Sequence, residues 1–490
     1  MNRSRASVPR SKRGCISCRQ RRVKCDEERP VCRRCIRAEI QCAGYDSVKD
    51  PCCTGITSSA NTHPMQSLRV QSYNIPFYAP GRPFERKALH YFFSYASRDM
   101  AGLTVMGFWD KLLPCMAERE SVVRHAIIAL SLAHYDFAVL ERPMVKGKVS
   151  AEPNEDILRA YLKASKALRR YIERGSTASK IVVLACCVVF YSIEGLLSQP
   201  QNALCHLEQG CAIIRGWQRQ CIGRTSTGGT DIEFAENIGE IFPILARLDI
   251  SATIMRAGRC PELDVLEAVD DEPIVPSLAG VSFPFNGALH AHNVLLQHSA
   301  RLWRFLAQSA QYRDVDIGNV PEHILAERNR LRLANNQWDE RMAAYEQAHP
   351  DMALDRTATE SMQVLKARNI VNGNILAESF SDRSCGDIWS SKENQLLQLG
   401  EDILKLREAE RRSHGFETYG SFSPEFGMVG VICLLAHRTS SPLIRKRAVK
   451  QAMRHDRHEG ISDMCEKFLT WVQLPAPRPY LVLFYNGPGH

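Results

Sequence analysis

No stretch of this 490-residue chain is apolar for long enough to cross a bilayer. The longest candidate, Ile181 to Ile193, is bracketed by Lys180 and Glu194 and reads as a buried helix. The N-terminus is basic and polar with no apolar core behind it, so a secretory leader is not expected. Motifs for nucleotide binding (GxGxxG, Walker A), acyl transfer (GxSxG) and zinc peptidase chemistry (HExxH) are missing, and an enzyme is not expected. Alternating strand patterns are scarce, which argues against a β-rich fold. No heptad pattern follows the first 44 residues, which argues against a coiled coil there. Without a secretory route the cysteines stay reduced, so regular cysteine spacing points to metal rather than disulfides.

Against these absences stands one dense segment. GCISCRQRRVKCDEERPVCRRCIRAEIQC holds six of the eighteen cysteines, Cys15, Cys18, Cys25, Cys32, Cys35 and Cys42, with gaps of 2, 6, 6, 2 and 6 residues. The unit C-x2-C-x6-C is written twice. Charge is concentrated in the same place: residues 1–50 hold 14 Lys and Arg against 6 acids, a net +8, which leaves +1 for the remaining 440 residues. A basic head on a nearly neutral body suggests a polyanionic partner. Arg19, Arg21, Arg22 and Lys24 crowd the first long gap, while Arg37 is offset by Glu39 in the second.

Zinc takes about four thiolates in a tetrahedron, and C-x2-C places two of them on one side of a tight turn. Six thiolates cannot fill two separate four-ligand sites unless two sulfurs are shared, so the repeat supports a two-zinc cluster with pseudo-twofold symmetry. A single ordinary zinc ribbon from any four of the cysteines, or a merely solvated basic surface, is the competing reading. The cysteines, the basic run, the acidic turn and Pro30 in CRQRRVKCDEERPVC resemble the binuclear zinc cluster (Zn2Cys6) of fungal transcription factors. That resemblance implies two Zn2+ per chain, Cys15 and Cys32 as bridging ligands, and a first helix that enters the major groove of double-stranded DNA. Arg21 and Arg22 would then meet base edges, and Arg19 and Lys24 the phosphates. Arg22 stands where the family usually has lysine; arginine can pair bidentately with guanine, so a CGG-type half-site is the expectation. Arg10, Lys12 and Arg13 suit a phosphate-gripping arm, a nuclear import patch, or both.

Beyond the head, residues 45–84 mix Pro, Gly, Ser, Thr and Asn and read as a flexible linker. From Glu85 long amphipathic segments take over, and 85–473 is expected to be an all-α regulatory body of packed helices. Residues 474–490 are an irregular tail. Cys186 and Cys187 read as small core residues, and His125, His134, His206 and His290 as core or surface groups. The acidic–apolar stretch 262–274 reads as a solvated loop rather than an activation segment. LHYFFSYASRDMAGLTVMGFWDKLLP and ACCVVFYSIEGLLSQPQNALCHLEQGCAIIR are similar to the helical regulatory domain that follows the cluster in one branch of these factors, over about residues 85–440. The combined expectation is a nuclear, sequence-specific regulator of RNA polymerase II transcription, with secondary metabolism as one destination the resemblance suggests. Partners would be DNA, transcription machinery or co-regulators, and a second copy dimerising through the body. The alternative is a zinc-scaffolded interaction module or co-regulator without DNA specificity of its own.

Overall fold

In the computed structural model the described residues of the head are 15, 17–18, 21, 23, 25–26, 32–38, 40 and 42. Those of the body are 81–460 apart from 103–106, 140–153, 176–178, 222–228, 257–258, 264–283, 313–314, 351–354, 381–388, 415–420 and 456. The tail and nearly all of the linker lie outside them. The chain divides into two compact units, 1–74 and 75–490. Within the head the one complete helix among the described residues is α1 (Arg33–Arg37).

The body begins with α2 (Pro83–Tyr91), whose N-terminus Glu85 closes by accepting from the Arg82 N–H at 2.8 Å. A π-helical turn (Phe92–Ala96) leads into α3 (Ser97–Ala101), and a second (Phe108–Leu112) into α4 (Leu113–Arg119). Then come α5 (Ser121–Val139), α6 (Glu155–Ile172), α7 (Lys180–Leu196), α8 (Pro200–Cys221) and α9 (Gly229–Met255). In α6 the Asn154 side chain caps the Asp156 N–H, acids occupy the first turn and Arg169 and Arg170 the last, so charge follows the helix dipole. Gly175, at φ 65°, turns the chain two residues past the α6 C-cap Glu173. The apolar α7 is buried along nearly its whole length and packs against α5, α8 and α9. Cys186 and Cys187 are core residues there, as expected. Glu194, the acid that ends the apolar run, is buried and accepts from the Tyr161 hydroxyl and from Asn202 Nδ2.

A second layer follows: α10 (Ala288–Gln308), α11 (Glu322–Ala348), α12 (Arg356–Ala377), α13 (Glu393–His414), α14 (Met428–Arg438) and α15 (Pro442–Ala452). Its main core joins α12, α13, α14 and α15. Ile254 and Met255 at the end of α9 pack against both this core and that of the first layer.

Among the described residues the all-α expectation holds with one local exception. Two three-residue strands, β1 (Ser421–Ser423) and β2 (Arg457–Glu459), pair in parallel with Ser423 opposite Glu459. They are too short to leave a period-2 pattern in the sequence. The acidic stretch 262–274 also begins differently from a free loop. The N–H groups of Glu262 and Leu263 donate to Asp249 Oδ2 at 2.8 and 2.9 Å, and Leu263 is buried. The rest of that stretch lies outside the described residues.

Candidate metal centre

The two C-x2-C pairs are built alike. Cys15 Sγ accepts from the Cys18 N–H at 3.3 Å, and Cys32 Sγ from the Cys35 N–H at 3.3 Å. The first cysteine of each pair thus caps a helical turn that carries the second. Past each pair the chain also turns alike: the Cys18 carbonyl accepts from the Val23 N–H at 3.0 Å and the Cys35 carbonyl from the Ile40 N–H at 3.1 Å. The sequence repeat is therefore a repeat of backbone hydrogen bonds as well.

These turns bring the sulfurs together. Cys15 Sγ lies 3.6 Å from Cys32 Sγ and 3.8 Å from Cys35 Sγ; Cys18 Sγ lies 3.6 and 3.8 Å from the same two. Four sulfurs at about 2.3 Å from a tetrahedral zinc stand about 3.8 Å apart. The observed edges fit that donor set. Cys15, Cys18, Cys32 and Cys35 are fully buried, while Cys25 and Cys42 are half-buried and pack against them. Cys25 Sγ accepts from the Cys15 N–H at 3.4 Å, and with Asp26 and Cys32 it forms a second group of close donor atoms. Cys32 is thus in both groups.

Burial pushes the Cys15 thiol well up and the Cys32 thiol up to about 12. A buried set of protonated thiols makes only weak hydrogen bonds, whereas a bound cation holds them as thiolates and turns the set into a folding core. The donor chemistry and the spacing both suit zinc.

Of the expected DNA-contacting residues only Arg21 is described. It is exposed, and its Nη2 stands 4.0 Å from Cys18 Sγ and 3.9 Å from Cys35 Sγ, leaning on the sulfurs. Arg10, Lys12, Arg13, Arg19, Arg22, Lys24 and Pro30 lie outside the described residues. Two features escaped the sequence reading. Asp26 Oδ2 accepts from the Arg34 N–H at 2.9 Å, which ties the first half to the start of α1. Arg33, Arg34 and Arg37 are all exposed, so the second half also has a cationic face. The acidic turn after Cys25 and the RR pair inside the second C-x2-C were the available signals. His125, His134, His206 and His290 join no candidate metal group among the described residues.

Comparison with known proteins agrees with this geometry. Residues 13–52 match the fungal Zn(2)-Cys(6) binuclear cluster domain, and residues 87–278 the fungal specific transcription factor domain. The second match is narrower than the 85–440 expected. A transcriptional regulatory protein of Schizosaccharomyces pombe is 37% identical over 92 residues, 19% of this chain and 16% of that protein. The aspercryptin biosynthesis cluster-specific transcription regulator of Emericella nidulans is 28% identical over 234 residues, 44% of this chain and 36% of the relative. A Zn(2)-C6 fungal-type transcription factor of Aspergillus fumigatus is 30% identical over 141 residues, 27% of this chain and 36% of the relative. The chain therefore spans between about a sixth and about a third of the length of these relatives. No solved structure matches. The chain carries the two-zinc fungal Zn(2)-Cys(6) cluster domain at its head and the fungal specific transcription factor domain in its helical body.

Proposed function

We propose that the protein is a nuclear, sequence-specific DNA-binding regulator of RNA polymerase II transcription, with the zinc-cluster head as the reader. The observation that carries this reading is the doubled sulfur-capped turn with exposed arginines on its surface. Cys15 and Cys32 serve as the bridging sulfurs, the first cysteine of each triplet as the resemblance implies; for Cys32 this is supported by its place in both groups of close donor atoms. Six thiolates and two zincs sum to −2, so the head must first neutralise its own core before it attracts phosphates. Arg21, close to Cys18 and Cys35, suits that neutralising role. Arg22 is then the principal base reader of a CGG-type triplet, with Arg19 and Lys24 on phosphates and Arg10, Lys12 and Arg13 as an accessory arm. One small module contacts few bases, so a second half-site read through a body-mediated dimer supplies the remaining specificity.

Gel shifts at fixed salt, with CGG-containing and scrambled duplexes, test the reading. Arg22→Ala is expected to remove triplet preference, a loss of about 1–3 kcal/mol in discrimination. Arg21→Ala is expected to weaken binding to all duplexes alike. If wild type prefers no duplex, the head is instead a zinc-held interaction module. Control of a secondary-metabolite gene cluster is supported by the name of the Emericella relative. Genome-wide occupancy of the tagged protein tests that destination.

A further inference from the structure

Helix α6 buries Ile157, Ala164 and Tyr171, which recur every seven residues and hold it to the body. A second stripe runs along its outer side. Glu155, Leu158, Leu162, Ser165, Arg169 and Ile172 follow one another at alternating steps of three and four, the spacing by which one helix presents a seam to another. Leu158, Leu162 and Ile172 are 40%, 54% and 50% exposed. No other helix among the described residues of the body presents three large apolar side chains to solvent. Lys163 Nζ stands 2.6 Å from Glu85 Oε1, which ties the first turn of α2, with its exposed Phe84, beside the middle of α6. Clustered apolar side chains of this kind mark a contact surface, where single ones would not.

The charges select the occupant. Seven residues before Leu162 stands Glu155 and seven after it Arg169, both exposed and both on the stripe. A twofold axis through Leu162 sets each residue before it against the residue equally far after it on the other copy. Antiparallel pairing of α6 with itself therefore puts Glu155 of each copy against Arg169 of the other, two ion pairs from one sequence. Leu162 meets its own counterpart at the axis, and Leu158 faces the aliphatic stem of Lys166. A parallel pair would instead oppose Glu155 to Glu155 and Arg169 to Arg169. Among the described residues the Arg169 side chain has no partner, and Glu155 pairs only with exposed Arg159 on its own helix, a contact of little worth.

We propose that two copies of the chain dimerise through this face, their α6 helices crossing antiparallel at Leu162 with Phe84 of α2 on the flank. This pairing rests on the reading of a body-mediated dimer above and assigns its surface. Helix α2 is also where the chain arriving from the head enters the body, so a pair formed here brings both entry points to one interface.

Sedimentation velocity of the full, zinc-loaded chain tests it, with circular dichroism to show that each variant folds. The wild type is expected to be a dimer at micromolar concentration. Leu162→Glu sets two like charges across the axis and is expected to weaken pairing at least about tenfold. Glu155→Arg and Arg169→Glu each turn two ion pairs into two repulsions and are expected to weaken it about tenfold, whereas the double reversal should return to within about threefold of wild type. All three positions are exposed, so the variants keep the fold, and a role in stability alone would not produce that rescue. A wild type that stays monomeric at high micromolar concentration overturns this face together with the body-mediated dimer. A wild-type dimer that Leu162→Glu leaves intact, or a double reversal without rescue, overturns the face alone.

Discussion

The Asp99 carboxylate accepts from His134 Nε2 and from the Phe422 N–H, each at 2.8 Å, and from the Ser421 hydroxyl. The Tyr91 hydroxyl lies 2.9 Å from His134 Nδ1, so the ring is held at both nitrogens. One acid on α3 therefore joins α2, α5 and the strand β1 over 300 residues away in sequence. Burial alone would push its carboxyl up, but the His134 hydrogen bond, the charge of Arg457 and the Ser421 hydroxyl hold it below the usual carboxylate range. Asp99→Ala strands several buried donors at once and is expected to cost about 3–5 kcal/mol. A group with a depressed folded pKa contributes fully above its unfolded value of about 4 and loses that contribution as pH falls through the folded value. The difference in denaturant midpoint between wild type and Asp99→Ala should accordingly be constant from neutral pH down to about 5 and narrow below about 4. A gap that widens on acidification would contradict this account.

Two helix glycines of the same type have opposite expected effects at the level of the element. A Cβ on Gly216, in α8, would meet nothing within 4 Å, so Gly216→Ala should stabilise by the ordinary helix preference of about 0.5–1 kcal/mol. A Cβ on Gly430, in α14, would come within 2.3 Å of the Phe426 ring, which is itself 2% exposed and has nowhere to move. Overpacking then exceeds propensity, and Gly430→Ala should destabilise by about 1–3 kcal/mol. Chemical denaturation of the two variants checks the sign; stabilisation by both would show that the α14 turn can relax. The contrast also marks what sequence could reveal about elements. The helices α5, α6, α7, α10 and α13 were legible because their apolar periodicity is local and long. The β1–β2 pair was not, since its three-residue strands are fixed by contacts such as Asp99 to Phe422 that join distant parts of the chain. Which glycine is a spacer and which is free is likewise a property of the neighbour, not of the letter.

At the scale of the whole molecule, the metal centre was the most legible part, because soft ligands at fixed spacing need no tertiary contact to declare themselves. The cluster of buried charges around Arg368 was invisible, since His292, Arg368 and Glu459 come from α10, α12 and β2 and Glu425 from the loop before α14, and they form no motif. The same division governs stability. Among the described residues of the head the buried cluster is made of cysteines alone, Cys15, Cys18, Cys32 and Cys35, with Cys25 and Cys42 against them. So short a segment can bury little apolar surface, and metal binding there is folding. The body by contrast has extended apolar cores in both layers. Removing zinc with a strong chelator is therefore expected to abolish binding to a CGG-containing duplex while far-UV circular dichroism retains nearly all of its helical signal, and added zinc should restore binding. Mass spectrometry under non-denaturing conditions should count two zincs lost. Loss of most helicity on chelation would mean that the body depends on the metal, against the separate cores described above.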